Sequence, residues 1–425
     1  MTTEPEIKYG NNMPWRPNTE PVEDWTKDYD IFDSGYIKDP FPVWDELREE
    51  CPVAHSERWG GSWMPTRYED LFKIAQDIQH YSSRNVLVVN FEENPDIEVD
   101  PVIAENATAG APPITSDPPI HTWSRALLLP KFSIKAVNAY EDETRELCNE
   151  LIDGFMKEGR ADVAADYAQQ IPPRVIASML GIPKEETGEF SGWVQGFLEF
   201  GLTNADIRST SAIQIFSYLM DLIQKRQQEP GDDLVSYLIN AKVEGAPYPV
   251  PTPHVLGTCF LLLVAGIDTT WSSIGSAFWH LAQNPQDRKY LLENPDKIQT
   301  AIEEFLRAYS PVTMAREVTE DYEYKGCPMK ENDKVLMNFP AANRDPAKFE
   351  DPDQVKLDRR VNPHIAFGAG IHRCAGSNLA RMEMRVAIQE WLKRIPDFRL
   401  EDPEAVTWAG GQVRGPRQCA VVWDA

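Results

Sequence analysis

The most informative stretch of the chain is the glycine-rich segment Phe367-Gly-Ala-Gly370-Ile-His-Arg-Cys374-Ala-Gly376. Its glycines permit tight turns and let the backbone approach a flat ligand closely. Cys374 immediately precedes a predicted helix over about residues 375–394, whose N-terminal amides and dipole would stabilise a thiolate. A thiolate at such a turn suits the axial position of a haem iron, whereas a buried, inert cysteine is the ordinary alternative.

A long apolar helix is predicted upstream of that segment. Its most apolar part, residues 255–267, spans 13 residues and ends against Asp268, which is short of the ~20 residues of a membrane span. Thr252 as N-cap and Pro253 at the first helical position predict where this helix starts. We expect it to continue to about Gln283 and to cross the core.

The middle of this helix contains an acid and a hydroxyl side by side, in Ala265-Gly266-Ile-Asp268-Thr269. A buried acid costs stability unless it has a partner. Ala265 and Thr269 share one helix face, Gly266 leaves room for a large neighbour, and a Thr269 hydroxyl bonded to a helical carbonyl would open the helix locally. The pattern indicates a groove for a small ligand beside a proton source. A kinked core helix with a solvated Asp268 is the alternative.

Composition narrows the class of protein. With 42 Lys+Arg against 67 Asp+Glu, the net charge of −25 over 425 residues disfavours binding to nucleic acid and to anionic membranes. The six cysteines are dispersed and suggest neither a metal knuckle nor a disulfide framework. Because no signal peptide is visible and reduced thiols fit best, we predict a cytoplasmic protein.

The organisation predicted is one large domain, residues 26–425, that is mainly α with a minor β portion, after a flexible segment at residues 1–25. Residues 85–116 look irregular and acidic, and a loop of this length is usually functional or disordered. Apolar periodicity predicts helices over residues 39–50, 68–76, 163–180 and 212–226, and strands near residues 63–64, 317–324, 334–339 and 418–423.

Together with further segments, these motifs resemble the cytochrome P450 superfamily, specifically its soluble bacterial type, over about residues 39–423. Glu304 and Arg307 form an i,i+3 pair that is weak evidence alone, because such pairs mostly lie on surfaces. The further matches are Asp117-Pro-Pro-Ile-His121-Thr-Trp-Ser-Arg125, Ala342-Asn343-Arg344-Asp345-Pro346, Glu304-Phe-Leu-Arg307 and Arg359. One departure is Trp123, where many relatives carry Arg, so the packing above the haem propionates is expected to differ.

The resemblance implies a role for each matching residue. Cys374 would be the axial ligand of the iron of haem b. Asp268 and Thr269 would be the acid–alcohol pair that delivers protons to dioxygen. The structural network of the family would be formed by Glu304, Arg307 and Arg359. The residues implied to bind the haem are His121, Arg125, Arg316 and His372 at the propionates, and Ala265, Gly266, Phe367 and Gly376 elsewhere.

The resemblance also implies a monooxygenase that hydroxylates or oxidatively O-dealkylates a small hydrophobic substrate with O2. Electrons would come from NAD(P)H through a separate reductase and a ferredoxin or flavodoxin, and the protein would be a monomer. A peroxide-driven peroxygenase, a haem sensor and a non-haem helical binding protein are the alternatives, and the Asp268–Thr269 pair argues against the first two. The substrate pocket would be lined by the loops at residues 85–116 and 197–203 and by Leu261, Val264, Val312, Thr313 and Met314.

The charge is distributed unevenly along the chain. Residues 1–50 carry 5 bases and 13 acids, whereas residues 361–400, around Cys374, carry 6 bases and 3 acids. A basic face on an acidic body would orient an acidic electron donor toward the haem. We therefore expect the donor to dock through Arg373 and neighbouring bases such as Lys131.

Overall fold

The computed structural model of the protein describes residues 21–90 and 99–424. Most of the predicted flexible segment, residues 1–20, and the acidic middle of the 85–116 loop, residues 91–98, lie outside the described residues. The described chain is mainly helical with a smaller sheet portion, which confirms the predicted fold class. The helices are α1 Trp25–Asp28, α2 Ser34–Lys38, α3 Phe41–Glu50, α4 Tyr68–Gln76, α5 Pro101–Asn106, α6 Ile120–Leu128, α7 Ile134–Val137, α8 Glu141–Phe155, α9 Ile171–Leu180, α10 Phe190–Leu198, α11 Ala205–Gln228, α12 Leu234–Asn240, α13 Thr252–Gln283, α14 Pro285–Glu293, α15 Ile298–Ala308, α16 Phe339–Ala342 and α17 Ser377–Arg394.

The strands are short and form four small sheets. The largest sheet has the order β1-β2-β8-β5-β3, in which β2 and β8 run parallel. The other sheets are β4-β12-β9, β10-β11 and β6-β7. The strands are β1 Val53–Ser56, β2 Ser62–Pro65, β3 Tyr81–Ser82, β4 Arg160–Asp162, β5 Thr313–Val318, β6 Tyr322–Tyr324, β7 Cys327–Met329, β8 Lys334–Asn338, β9 Arg399–Leu400, β10 Thr407–Ala409, β11 Gly415–Gln418 and β12 Ala420–Val422.

Helix α13 is the axis of the fold. It is 32 residues long and packs against α9, α10, α11, α17 and β11. Its length, and the mean hydropathy of 1.5 over its most apolar 18 residues, would allow it to cross a membrane, but 78% of that window is buried inside the protein. This burial is that of a core helix, as the sequence predicts.

The start of α13 corrects one prediction. Thr252 is the first helical residue rather than the N-cap, and its side chain forms no capping hydrogen bond. The Pro251 carbonyl accepts the N–H groups of His254 and Val255 at 2.9 and 3.1 Å, so Pro251 is the N-cap. The prediction that the helix ends at Gln283 is confirmed.

Other boundaries differ because local capping chemistry decides them. The region predicted as an irregular loop contains α5, since Asp100 caps it through the Val102 N–H at 2.8 Å and Pro101 occupies its first turn. Helix α17 begins at Ser377, two residues later than predicted. The strand predicted over residues 317–324 is two strands, the end of β5 and all of β6, which belong to different sheets.

Candidate functional site

The Cys374 loop is a compact turn held by its own backbone. The Cys374 N–H donates to the Phe367 carbonyl at 2.8 Å. Gly368 and Gly370 have φ values of 71° and 70°, which glycine adopts without the steric cost of a Cβ. Gly376 forms the N-cap of α17, and a Cβ there would lie 3.8 Å from the Cys374 Sγ. The loop therefore presents the sulfur just before a helix N-terminus.

The Cys374 side chain is accessible to solvent although many protein atoms surround it, so it lines a recess. Burial raises the pKa of its thiol. The Gly376 N–H and the guanidinium groups of Arg125, Arg373 and Arg381 oppose that rise. Cations and a helix N-terminus are the surroundings that favour a thiolate ligand over an inert thiol.

Four basic side chains from three parts of the chain converge beside this loop. Helix α6 supplies His121 and Arg125, strand β5 supplies Arg316, and the loop itself supplies His372. The rings of His121 and His372 lie 4.3 Å apart. Arg125 donates to the Arg373 carbonyl, and Arg316 is only 5% exposed. The structure thus brings together the residues predicted for the propionates.

This cluster has the chemistry of a site for carboxylates. Within the described parts of the chain, the buried Nε2 atoms of His121 and His372 have no hydrogen-bond partner. Burial and then the nearby Arg316 lower the pKa of His372 to about 3, and burial lowers the pKa of Arg316 to about 10. Burial also lowers the pKa of His121, and Asp117 acts against the shifts of His121 and Arg316. Unpartnered ring nitrogens together with the positive charge of Arg125 and Arg316 fit the two propionates of a haem.

Helix α13 presents one accessible stripe in its otherwise buried middle. Ala265 is exposed, and Leu261, Gly266 and Thr269 are half-buried. The Thr269 hydroxyl donates to the Ala265 carbonyl at 2.8 Å, which is the bond that the spacing predicts. A Cβ on Gly266 would lie 3.2 Å from Ile176 of α9, so the large neighbour at Gly266 is Ile176.

Asp268 is buried and ion-paired. It is 1% exposed, and its Oδ1 accepts from Arg417 at 2.8 Å, so the alternative of a solvated Asp268 is wrong. Arg417 also donates to Glu199 at 2.8 Å and to Ser272 at 3.0 Å. Sequence reasoning missed these partners because Arg417 lies 149 residues beyond Asp268, and no local pattern links them.

The predicted structural network is present as a buried ion-pair cluster. Glu304 and Arg307 have fully buried side chains and share two hydrogen bonds of 2.8 Å. Arg359 donates at 2.9 Å to the Glu304 Oε2, which also accepts from the Arg307 Nε. Arg307 also donates to the carbonyls of Asn343 and Pro352 at 3.0 and 2.7 Å. The cluster fixes the chain that leads into the Cys374 loop.

The predicted pocket residues differ in exposure and direction. Because alternate residues of a strand face the same side, Met314 shares a face of β5 with Arg316, and Thr313 lies on the opposite face. Thr313 also donates its N–H to the Gln412 carbonyl at 3.0 Å. The half-buried members of the set are Leu261, Val312 and Met314, and the buried ones are Val264 and Thr313.

Two further side chains stand out near these elements. Trp123, the departure from the family pattern, packs on the ring of His254 at 4.1 Å, and burial lowers the pKa of His254 to about 4. Glu383 on α17 is 1% exposed, and none of the residues that the structure describes forms a hydrogen bond with its Oε2. Sequence reasoning missed Glu383, although an acid four residues from both Leu379 and Ala387 on an apolar helix face is a readable signal.

Three of the six bases in residues 361–400, around Cys374, are paired with acids. Arg381 binds Glu303, Arg385 binds Glu141, and Arg394 binds Asp153, in each case with at least one contact of 2.6–2.7 Å. These acids come from other parts of the chain, so the local count overstates the positive surface. Arg373, by contrast, is exposed.

Known proteins are similar to this chain in sequence and in fold. The sequence model described as Cytochrome P450 matches residues 197–407. The polyketide biosynthesis cytochrome P450 PksS of Bacillus subtilis is 32% identical, with 87% of this chain and 92% of PksS covered. The mycinamicin IV hydroxylase/epoxidase of Micromonospora griseorubida is 33% identical, with 89% and 94% covered.

A further relative, the vitamin D(3) 25-hydroxylase of Pseudonocardia autotrophica, is 32% identical over 88% of this chain and 91% of its own. The solved structure of Bacillus subtilis PksS superposes with a TM-score of 0.83 at 31% identity, covering 93% of this chain and all of that one (100%). The chain therefore belongs to the cytochrome P450 family and is a cytochrome P450 monooxygenase.

Proposed function

We propose that the protein uses O2 to hydroxylate, or oxidatively O-dealkylate, a small hydrophobic substrate at a haem b whose iron is bound by Cys374. The observation that carries this proposal is the pair of buried, unpartnered ring nitrogens on His121 and His372, which lie beside Cys374 and the guanidinium groups of Arg125 and Arg316. The haem, when bound, supplies the chemistry that inserts one oxygen atom into a C–H bond. Arg125 and Arg316 would hold its propionates and so fix its orientation.

Proton delivery is assigned to Asp268 and Thr269. The Thr269 hydroxyl donates a hydrogen bond to the Ala265 carbonyl, which leaves the lone pairs of its oxygen free to accept a hydrogen bond. Asp268 directly precedes Thr269 on the same helix turn, and its Oδ2 has no hydrogen-bond partner among the described residues. Burial raises the pKa of Asp268 to about 6, so this carboxyl can both take up and release a proton near neutral pH.

The substrate is proposed to be hydrophobic because the accessible stripe of α13 and the nearby Val312 and Met314 are mainly apolar. Relatives are named for polyketide biosynthesis, mycinamicin IV and vitamin D(3). Water displacement from the iron, followed by the absorption spectrum across a panel of apolar compounds, would identify the substrate class.

The central test is the spectrum of the reduced, haem-loaded protein under carbon monoxide. A strongly red-shifted Soret band requires a thiolate ligand, and we expect the wild-type protein to give it. Cys374→Ala should lose it, whereas Cys51→Ala, which removes a half-buried thiol elsewhere, should keep it. A band at the ordinary position in wild type would overturn the proposal.

The electron donor is proposed to be a ferredoxin or flavodoxin, reduced by an NAD(P)H-dependent reductase, that docks beside Arg373. Leu129, which follows α6, and Ile134, which begins α7, are 48% and 66% exposed, and exposed apolar side chains of this kind would supply the apolar centre of such an interface. The Lys131 ammonium lies 4.4 Å from the Tyr237 ring, so we expect Arg373 to contribute more than Lys131. The protein is further proposed to be a cytoplasmic monomer.

Salt dependence tests the docking site. Arg373→Gln should slow reduction by an acidic ferredoxin and flatten the dependence of that rate on ionic strength. Lys131→Gln should have a smaller effect, and Arg160→Gln, in an exposed pair with Glu401, should have none. An unchanged salt dependence in the Arg373 variant would place the docking site elsewhere.

A further inference from the structure

The carboxylate of Asp268 is held by a single buried cation. Arg417, on β11, donates to the Asp268 Oδ1 at 2.8 Å, and their side chains are 10% and 2% exposed. The same guanidinium donates to Ser272 at 3.0 Å and lies 4.1 Å from the centre of the Trp271 ring. These contacts fix the cation beside the helix turn that carries the acid–alcohol pair.

A second acid competes for this cation. Glu199 accepts from the Arg417 Nε at 2.8 Å, and its side chain is 19% exposed. It directly follows α10 and precedes the turn Phe200–Leu202, in the segment expected to border the substrate pocket. The Arg417 guanidinium therefore binds both Asp268, which is in the core, and Glu199, which lies at the C-terminal end of α10.

Within the described chain, Arg417 and Glu199 have opposite effects on the pKa of Asp268. Burial raises the pKa of its carboxyl to about 6, Arg417 acts against that rise, and Glu199 adds to it. On its own helix, the Ser272 hydroxyl donates weakly to it at 3.5 Å. An opposite charge at hydrogen-bond distance favours ionisation, and a like charge disfavours it.

We propose that Arg417 is a positioning residue that holds Asp268 ionised and in place, and that Glu199 weakens this hold by competing for the same guanidinium. The position of the C-terminal end of α10 would thereby affect the pH at which Asp268 takes up a proton. This inference rests on the proposed role of Asp268 as a proton donor. If Glu199 moves, the strength with which Arg417 stabilises the Asp268 carboxylate changes.

Two substitutions that break the same Arg417–Glu199 ion pair should have opposite effects. Arg417→Gln removes the stabilising cation, so Asp268 should stay protonated to a higher pH. Glu199→Gln removes the competing anion and leaves Arg417 to Asp268, so Asp268 should lose its proton at a lower pH. A merely structural role for the pair would give both variants the same direction.

The measurement is the infrared carboxyl band of Asp268 across pH in the haem-loaded protein, assigned by subtraction of the Asp268→Asn spectrum. We expect the titration midpoint to rise by about one unit or more in Arg417→Gln and to fall in Glu199→Gln. Arg417→Lys, which keeps the charge, should return the midpoint toward that of wild type. Arg160→Gln, in an exposed ion pair on β4, should leave it unchanged.

Midpoints that do not move, or that move in the same direction in both variants, would overturn the inference. Should Arg417→Gln fail to fold, the fall expected in Glu199→Gln decides alone. The fraction of NAD(P)H converted to product separates this inference from the proposed function. If the midpoints move as stated but that fraction is insensitive to Asp268→Asn, the proton-donor role fails while the link to Arg417 stands.

Discussion

A Cβ atom on Gly370 would stand 2.3 Å from the carbonyl oxygen of Ala75, the residue before the last of α4. Backbone cannot yield as a flexible side chain does, so this contact excludes every side chain at position 370 unless the loop moves. Since Cys374 follows four residues later, the close approach of the loop to α4 helps to set where the sulfur lies.

Gly370→Ala should therefore lower haem retention sharply. The variant meets both the clash and the strain of a positive φ, whose cost alone is roughly 1–2 kcal/mol. Gly368→Ala is the matched control, because its φ is 71° but its Cβ would be 3.6 Å from the nearest atom, on Phe339. Haem content and the carbon monoxide spectrum measure the difference. Equal losses in the two variants would show that strain, not the Ala75 contact, limits the loop.

The Thr269 hydroxyl should govern coupling rather than turnover. Thr269→Ala removes the oxygen beside Ala265, so NAD(P)H consumption should continue while more of it yields hydrogen peroxide and less yields product. Thr269→Ser keeps the hydroxyl and should retain most of the coupling. The ratio of product to NAD(P)H consumed measures this, and a Thr269→Ala variant coupled as well as wild type would remove Thr269 from proton delivery.

A structural feature could be predicted from the sequence when the contacts that determine it lie within one short segment of the chain. The bounds of α4 and the end of α13 follow from apolar periodicity within one segment, and both predictions are confirmed. The Cys374 loop is readable because its glycines, cysteine and helix start are consecutive. The pairing of Asp268 with Arg417 could not be read, because tertiary folding alone brings β11 against α13.

Counting charges along the sequence also fails to predict the exposed positive charge around Cys374, because tertiary contacts decide which charges are paired. A window around Cys374 contains a basic excess, yet Arg381, Arg385 and Arg394 are paired with acids far away in sequence. A local count measures composition, whereas a partner responds to the exposed, unpaired charge. Helix α5, in contrast, was predictable, because Asp100-Pro101 is a strong N-terminal signal that the acidic composition of the region concealed.

The Glu304 cluster predicts a large loss of stability on truncation. Arg307→Ala would leave the fully buried Glu304 charge with only part of its compensation, which typically costs about 3–5 kcal/mol. Lys289→Ala is the control, because its i,i+4 pair with Glu293 is exposed on both sides and is worth about 0.3–0.5 kcal/mol. Urea unfolding of the haem-loaded proteins measures both, and a loss below about 1 kcal/mol for Arg307→Ala would contradict a structural role.

The buried Glu383 makes stability depend on pH with a defined sign. Burial holds its pKa well above the usual range, so the carboxyl stays protonated in the folded protein but ionises in the unfolded chain above about pH 4.3. The unfolded state then binds fewer protons, so this group lowers stability as pH rises above that value. Glu383→Gln cannot ionise, and it should be more stable than wild type at about pH 7.5 and equal to it near pH 4.

Glu390, on the same helix, should affect the pH dependence of stability with the opposite sign. Burial acts to raise its pKa, but hydrogen bonds from Asn149 and Arg145 leave it lowered. The ionised Glu390 carboxylate therefore stabilises the folded protein above the pKa that it has in the unfolded chain, and this stabilisation is lost as the pH falls. Glu390→Gln should destabilise the protein at about pH 7.5 and progressively less in acid. Calorimetric melting of both variants across this range gives the two signs. A Glu383→Gln variant that is less stable than wild type at about pH 7.5 would mean that the carboxyl is ionised in the folded protein by a partner absent from the contacts described above.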